Sequence, residues 1–349
     1  MKILVSLLAV SALWAAGPRR EFTPGEVWPD TDGNPIQAHG GGLLRHKGRW
    51  YWYGEDKALG NFNRTGVAVY SSKDLYNWKR EAIALRKDDV PELFRDHGVC
   101  ERPKVLYNRK TRKFVMWMHL DDRGYAEASA GVAVSDSPTG PFRFLHQIRP
   151  IHYDFGYPEK DRTNQRERGS TYRDMNLFLD DDGRAYAFYA SEDNWTMYVV
   201  RLNAEFTGPE APAVLGRTWA RILVRQMREA PAPFKHKGRY YLITSGCTGW
   251  NPNRAGYAVA GNILGPWTDM GDPSAGPEAE TTFRSQSTFV LPAPSAGKGA
   301  FILMADRWMP KSLQDSRYVW LPFRVDAAGR IELKWRTRWD LNIFKSELK

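Results

Sequence analysis

Five times in this chain, at intervals of roughly 60 residues, a short polar segment runs into an apolar strand, a tight turn and a second strand rich in aromatic residues. The polar segments are Ala38-His39-Gly40, Cys100-Glu101-Arg102-Pro103, Arg173-Asp174-Met175-Asn176, Arg228-Glu229-Ala230-Pro231 and Ser285-Gln286-Ser287-Thr288. The turns carry Gly, Asn or Asp, as in His46-Lys47-Gly48-Arg49 and His236-Lys237-Gly238-Arg239, which supply the positive φ that tight hairpins need. A third strand follows in every unit, for example Gly66 to Tyr70 and Gly131 to Val134. Trp78, Phe142 to Leu145, Trp267 and Ile331 to Trp335 mark an outer fourth strand, which is least distinct in the third unit. Repeated units of this kind predict an all-β fold, a five-bladed β-propeller with four-stranded blades.

In such a radial array, equivalent positions of the innermost strands converge at one end of the axis. Glu101, Asp174 and Glu229 then share one funnel, with Gln286 beside them. Carboxylates held this close are costly unless they act on a ligand or hydrogen-bond to a polyhydroxylated one. The repeat spans residues 38–335 without a long linker, so residues 18–349 are expected to form one catalytic-sized domain. The stretch from Ile151 to Thr171 has little periodicity and reads as a surface loop or, because it precedes Asp174, as a rim of the site.

Lys2 followed by an apolar run from Ile3 to about Ala16 reads as a secretory signal over residues 1–17, too short to span a membrane. Trp14 disfavours a cut after Ala16, and Pro18 follows directly if the cut falls after Gly17. Export to the periplasm or the medium is expected, with no membrane span. Two cysteines, Cys100 and Cys247, exclude a disulfide scaffold; a single bridge is conceivable, and two buried free thiols are the expectation.

The net charge of +10 invites a test for nucleic acid, but Lys and Arg are scattered through turns and no nucleic-acid module is present. Nucleic acid is therefore not an expected partner. The seven histidines show no paired ligand spacing, Asp180-Asp181-Asp182-Gly183 lacks the later ligands of a calcium loop, and Gly40-Gly41-Gly42 lacks the Lys of a phosphate loop. No metal and no cofactor are expected. The fourteen tryptophans mostly suit wedges between blades, whereas Tyr125, Trp195 and Trp250 lie in connections beside polar residues. Those three are candidate platforms for a sugar, whose ring has apolar faces and polar edges.

Several strings carry a resemblance. They are Ala38-His39-Gly40-Gly41-Gly42, Tyr51-Trp52-Tyr53-Gly54-Glu55, Glu101-Arg102-Pro103-Lys104-Val105, Arg173-Asp174-Met175, Arg228-Glu229-Ala230-Pro231, Ser245-Gly246-Cys247-Thr248-Gly249-Trp250, Ser285-Gln286-Ser287-Thr288 and Asp306-Arg307-Trp308. Together they resemble glycoside hydrolase family 43, and within it the exo-β-1,3-galactanases, over nearly the whole chain beyond about residue 28. The resemblance implies an inverting exo-glycosidase acting on β-1,3-galactan, such as the arabinogalactan backbone. It implies Glu229 as general acid and Asp174 as the carboxylate that tunes its pKa and holds the sugar. Most of the family has an Asp base in the first blade, where this chain has Ala38-His39-Gly40-Gly41. In the galactanase-like branch, Gln286 is implied to position the water or act as base. Glu101 is implied as a sugar contact or alternative base, with Glu55, Tyr125 and Thr248 as further contacts. An α-L-arabinofuranosidase or β-xylosidase of the same fold is the enzyme alternative, and a non-catalytic carbohydrate-binding propeller is the other.

Overall fold

The computed structural model describes residues 17–293, 297 and 299–348. Apart from Gly17, the expected signal segment lies outside the described residues. Each repeat folds as an antiparallel sheet whose strands follow chain order. The first blade holds His39–His46, Arg49–Glu55, Gly66–Ser72 and Lys79–Arg86. The second holds Val99–Asn108, Lys113–Asp121, Ser129–Ser135 and Arg143–Ile148. The third holds Met175–Leu179, Ala185–Ser191, Thr196–Arg201 and, where the sequence was least distinct, Trp219–Ile222. The fourth holds Arg228–His236, Arg239–Gly246, Gly256–Ala260 and Trp267–Asp269. The fifth has Gln286–Pro292, Ala300–Arg307 and Arg317–Arg324. Beyond these, Ile331 bridges Val325, and Leu333–Lys334 pairs in parallel with Ser274–Ala275.

Each innermost strand packs against that of the next blade and the fifth packs against the first, so the sheets form a closed five-bladed β-propeller. Side chains alternate across a strand, and here both faces are buried. Met116 and Met118 join Tyr53 and Val69 between blades one and two, while Val115 and Trp117 join Met175 and Ala187 between blades two and three. The same division holds around the ring, with one apolar cluster in each gap between blades. Burying one large aliphatic side chain contributes about 1.5–3 kcal/mol. The terminal segments close the last gap: Phe22 and Trp339 exchange backbone hydrogen bonds at 2.7 and 3.1 Å, and their rings stack at 4.2 Å.

One backbone device recurs where the polar segments enter the sheets. The pairing register slips between His39 and Gly42, Glu101 and Lys104, Glu229 and Ala232, and Ser287 and Phe289. Such bulges bend a strand and re-aim its side chains. In three blades the residue after the polar head is left-handed, with φ of 57° at Gly40, 53° at Arg102 and 53° at Ala230. Gly40 meets a second demand, because a Cβ there would lie 2.2 Å from Glu55 Oε1.

Candidate active site

In four blades the bulges turn the polar heads toward one end of the axis, and Asp174 reaches it from just before the first strand of the third blade. Glu101, Asp174, Glu229 and Gln286 line a single cavity of ≈ 350 Å3, together with the predicted contacts Glu55, Tyr125 and Trp250. Thr248 and Trp195 do not line it. The Thr248 hydroxyl donates to Asn251 O and accepts from Asn253 Nδ2, both at 2.6 Å, which braces the loop presenting Gly249 and Trp250. Trp195 faces a separate cavity. The 151–171 loop contributes no lining residue to the axial cavity.

Sequence reasoning passed over several residues that the structure places here: Arg102, His119, Arg173, Asn194, Cys247 and Trp308. Arg102 ties three blades together. Its Nη2 forms an ion pair with Asp174 Oδ2 at 2.9 Å and donates to Gln286 Oε1, and its Nη1 donates to Ser287 O at 2.9 Å. Its own backbone N–H donates to Glu55 Oε1 at 3.0 Å. A usable signal existed, since hairpin pairing sets one residue directly opposite each polar head: Glu55 opposite His39, His119 opposite Glu101, Ser245 opposite Glu229 and Asp306 opposite Gln286.

Gln286 makes four side-chain hydrogen bonds. Nε2 donates to Glu229 Oε1 and to Ser245 Oγ, each at 3.0 Å, while Oε1 accepts from Arg102 and, at 2.9 Å, from Trp308 Nε1. Arg and Trp only donate, so they fix which end of the amide is oxygen. An imidic tautomer would point a third hydrogen at those two donors, so the amide as held here is a poor proton acceptor.

Glu229 sits 8 % exposed, with Asn194 Nδ2 donating to its Oε2 at 3.2 Å. Burial, and then the Asp174 charge, push its pKa up to about 8 against the opposing pull of Arg102. It therefore holds its proton at neutral pH. Glu101 is the opposite case. Burial raises it, but the hydrogen bond and charge of His119, with Lys57 and the Tyr125 hydroxyl, outweigh that and bring it to about 2. Tyr125 donates to Glu101 Oε1 at 2.9 Å, and His119 bridges Glu101 Oε2 at 3.3 Å and Asp121 Oδ2 at 3.0 Å. Burial lowers His119, yet Asp121 and Glu101 lift it to about 9.

The His119 contribution to stability is complete below its ordinary value and is lost as pH rises through about 9, and that of Glu101 is lost as pH falls through about 2. His119→Gln removes the cation that keeps Glu101 ionised. Its kcat/KM profile is expected to have its acid limb moved to higher pH than the parent protein's. A variant with the parent's acid limb would show that His119 does not set the charge of Glu101.

Glu101, His119 and Asp174 bring possible ligand atoms within 4.8 Å of one another, but both His119 ring nitrogens face carboxylates. Both cysteines are free. Cys100 is buried as expected, whereas Cys247 is only partly buried and lies in the cavity wall beside Glu229.

Comparisons agree with this geometry. The model for glycosyl hydrolases family 43 matches residues 34–290. A family 43 β-1,3-galactosidase solved with galactodeoxynojirimycin is 43% identical, covering 91% of this chain and 100% of its own, with a TM-score of 0.83. An exo-β-1,3-galactanase from Clostridium thermocellum is 37% identical over 91% of this chain and 66% of its own, with a TM-score of 0.79. One from Phanerochaete chrysosporium, solved with β-1,3-galactotriose, is 33% identical over 92% and 68%, also at 0.79. No curated protein sequence matches the chain. With its closed ring, its axial carboxylates and matches that run along most of its length, the chain belongs to glycoside hydrolase family 43, in the exo-β-1,3-galactanase branch.

Proposed function

We propose that this protein is an inverting exo-glycosidase that releases galactose from the non-reducing end of β-1,3-galactan, such as the arabinogalactan backbone, in the periplasm or the medium. The observation that carries the reading is Glu229, a carboxyl group that stays protonated up to about pH 8 beside the Asp174 charge in an axial cavity. That is the state a general acid needs in order to protonate a leaving glycosidic oxygen at neutral pH. At ≈ 350 Å3 the cavity lies near the small end of the range for ligand sites, about 300–1,000 Å3, which suits a chain end better than a threaded polymer.

In this reading Asp174 tunes Glu229 and holds the sugar with Glu101, Glu55, Tyr125 and Trp250, and Gln286 gives up one of its present hydrogen bonds to position the attacking water. Gln286→Ala and Glu101→Ala, each assayed with azide as a nucleophile that needs no deprotonation, separate the two candidate bases. Because the held amide is a poor proton acceptor, Gln286→Ala is expected to gain nothing from azide; rescue of that variant would show that Gln286 takes the water's proton, and rescue of Glu101→Ala would give that role to Glu101. The reading as a whole is tested by the monosaccharides released from β-1,3-galactan, arabinan and xylan, and by the anomer first formed. Galactose from galactan, with its configuration inverted, is expected. Sugar from arabinan or xylan would favour the arabinofuranosidase or xylosidase alternative, and binding without release would favour a non-catalytic propeller.

A further inference from the structure

Two consecutive residues divide between two cavities. Asn194 lines the axial cavity and donates to Glu229, while Trp195 lines a second cavity of ≈ 270 Å3. Glu192, Asp193 and Asn194 have φ of 52°, 53° and 69°. Three successive left-handed residues coil the chain tightly, so neighbouring side chains leave in different directions. The wall between the cavities is shared: Arg173, in the axial lining, donates through Nη2 to Asp193 Oδ1 at 3.3 Å, and Asp193 lines the second cavity.

The second cavity is built like a sugar site. Trp195 is 50 % exposed, and among the described residues it is the one tryptophan left so open to water. Phe155 and Pro158 face it from the 151–171 loop, and Asp193 and the exposed Arg225 provide hydrogen-bonding groups. The loop is held in place. Asp193 accepts from Thr163 Oγ1 at 3.2 Å and from the buried Gln165 Nε2 at 3.0 Å, so the walls are formed before any ligand arrives. A pyranose offers an apolar face to the indole and hydroxyls to the rim.

We propose that this cavity is an accessory subsite in which Trp195 stacks a second pyranose ring of the substrate, outside the ring whose bond is cleaved. The proposal rests on the galactan-hydrolase reading. The second ring belongs either to the linear chain or to a side branch, and the experiment has an arm for each. Trp195→Ala and Arg225→Ala are both surface changes that the fold should tolerate. Their kcat/KM is measured on an aryl β-galactoside, a linear β-1,3-galacto-oligosaccharide and one carrying β-1,6-linked branches.

Trp195→Ala is expected to lose about tenfold more on an oligosaccharide than on the aryl galactoside, through KM, as removal of a stacked aromatic would cause. Trp195→Phe should recover part of that loss. A loss on the linear substrate assigns the ring to the main chain, and a loss confined to the branched one assigns it to a branch. Equal losses on all three substrates, or none in either variant, overturn the subsite while leaving the galactanase reading intact. Failure of the parent protein to release galactose from any galactan removes both.

Discussion

Glu229→Gln is expected to lower kcat on β-1,3-galactan by about 10²- to 10⁴-fold, the usual worth of a general acid. The substitution keeps the shape of the side chain and removes its proton. On an aryl galactoside with a good leaving group the loss should shrink, because less protonation is needed for departure. The pH profile supplies an independent check. A general acid acts in its protonated form, so on the proposed role of Glu229 parent kcat/KM should fall as pH rises through about 8, and that limb should be absent from Glu229→Gln. The same raised pKa means that the folded state holds this proton more tightly than the unfolded chain does. Stability from this group therefore declines as pH climbs from the ordinary glutamate value toward about 8. Equal losses on good and poor leaving groups, with the alkaline limb retained, would make Glu229 a binding group.

The largest expected effect on stability is at Arg102. Arg102→Met leaves Asp174 Oδ2, Gln286 Oε1 and Ser287 O without the donor that joins them. Breaking a buried ion pair from one side costs about 3–5 kcal/mol; Asp174 is partly open to the cavity, so the lower end of that range is expected. For a chain of this size that corresponds to a fall in Tm of roughly 10 °C. Activity should be lost as well, because Gln286 loses one of the two donors that orient it. Arg102→Lys should melt higher than Arg102→Met yet remain impaired, since a single ammonium cannot reproduce the forked geometry. An Arg102→Met protein with parental Tm would mean that the axial ties are redundant.

The architecture was legible because its cause is repetitive. Each hairpin turn and each doubly buried strand leaves a mark in the chain, and five repetitions make the marks readable. Glu101, Asp174, Glu229 and Gln286 followed from their shared offset before each strand. Arg102 did not, because an arginine between a glutamate and a proline looks like a solvated charge until the left-handed backbone at 53° is known to aim it across the axis. His119 lies at the far end of a second strand, among residues that read as core, and its pairing with Glu101 appears only when register is counted back from the turn. Thr248 and Trp195 show the opposite limit. Both sit in loops whose neighbours line the cavity, and loop backbone decides which of two adjacent side chains enters it.

The division of each strand's two faces between different gaps has a mechanical consequence. Trp52 packs toward the fifth blade and Tyr53 toward the second, so a blade owns no core of its own and borrows half from each neighbour. Removing one blade strips two interfaces at once and leaves the other four as an open arc with two raw apolar edges. The ring thus behaves like an arch in which every stone is a keystone, and the axial cavity, assembled from all five, exists only while the arch is closed.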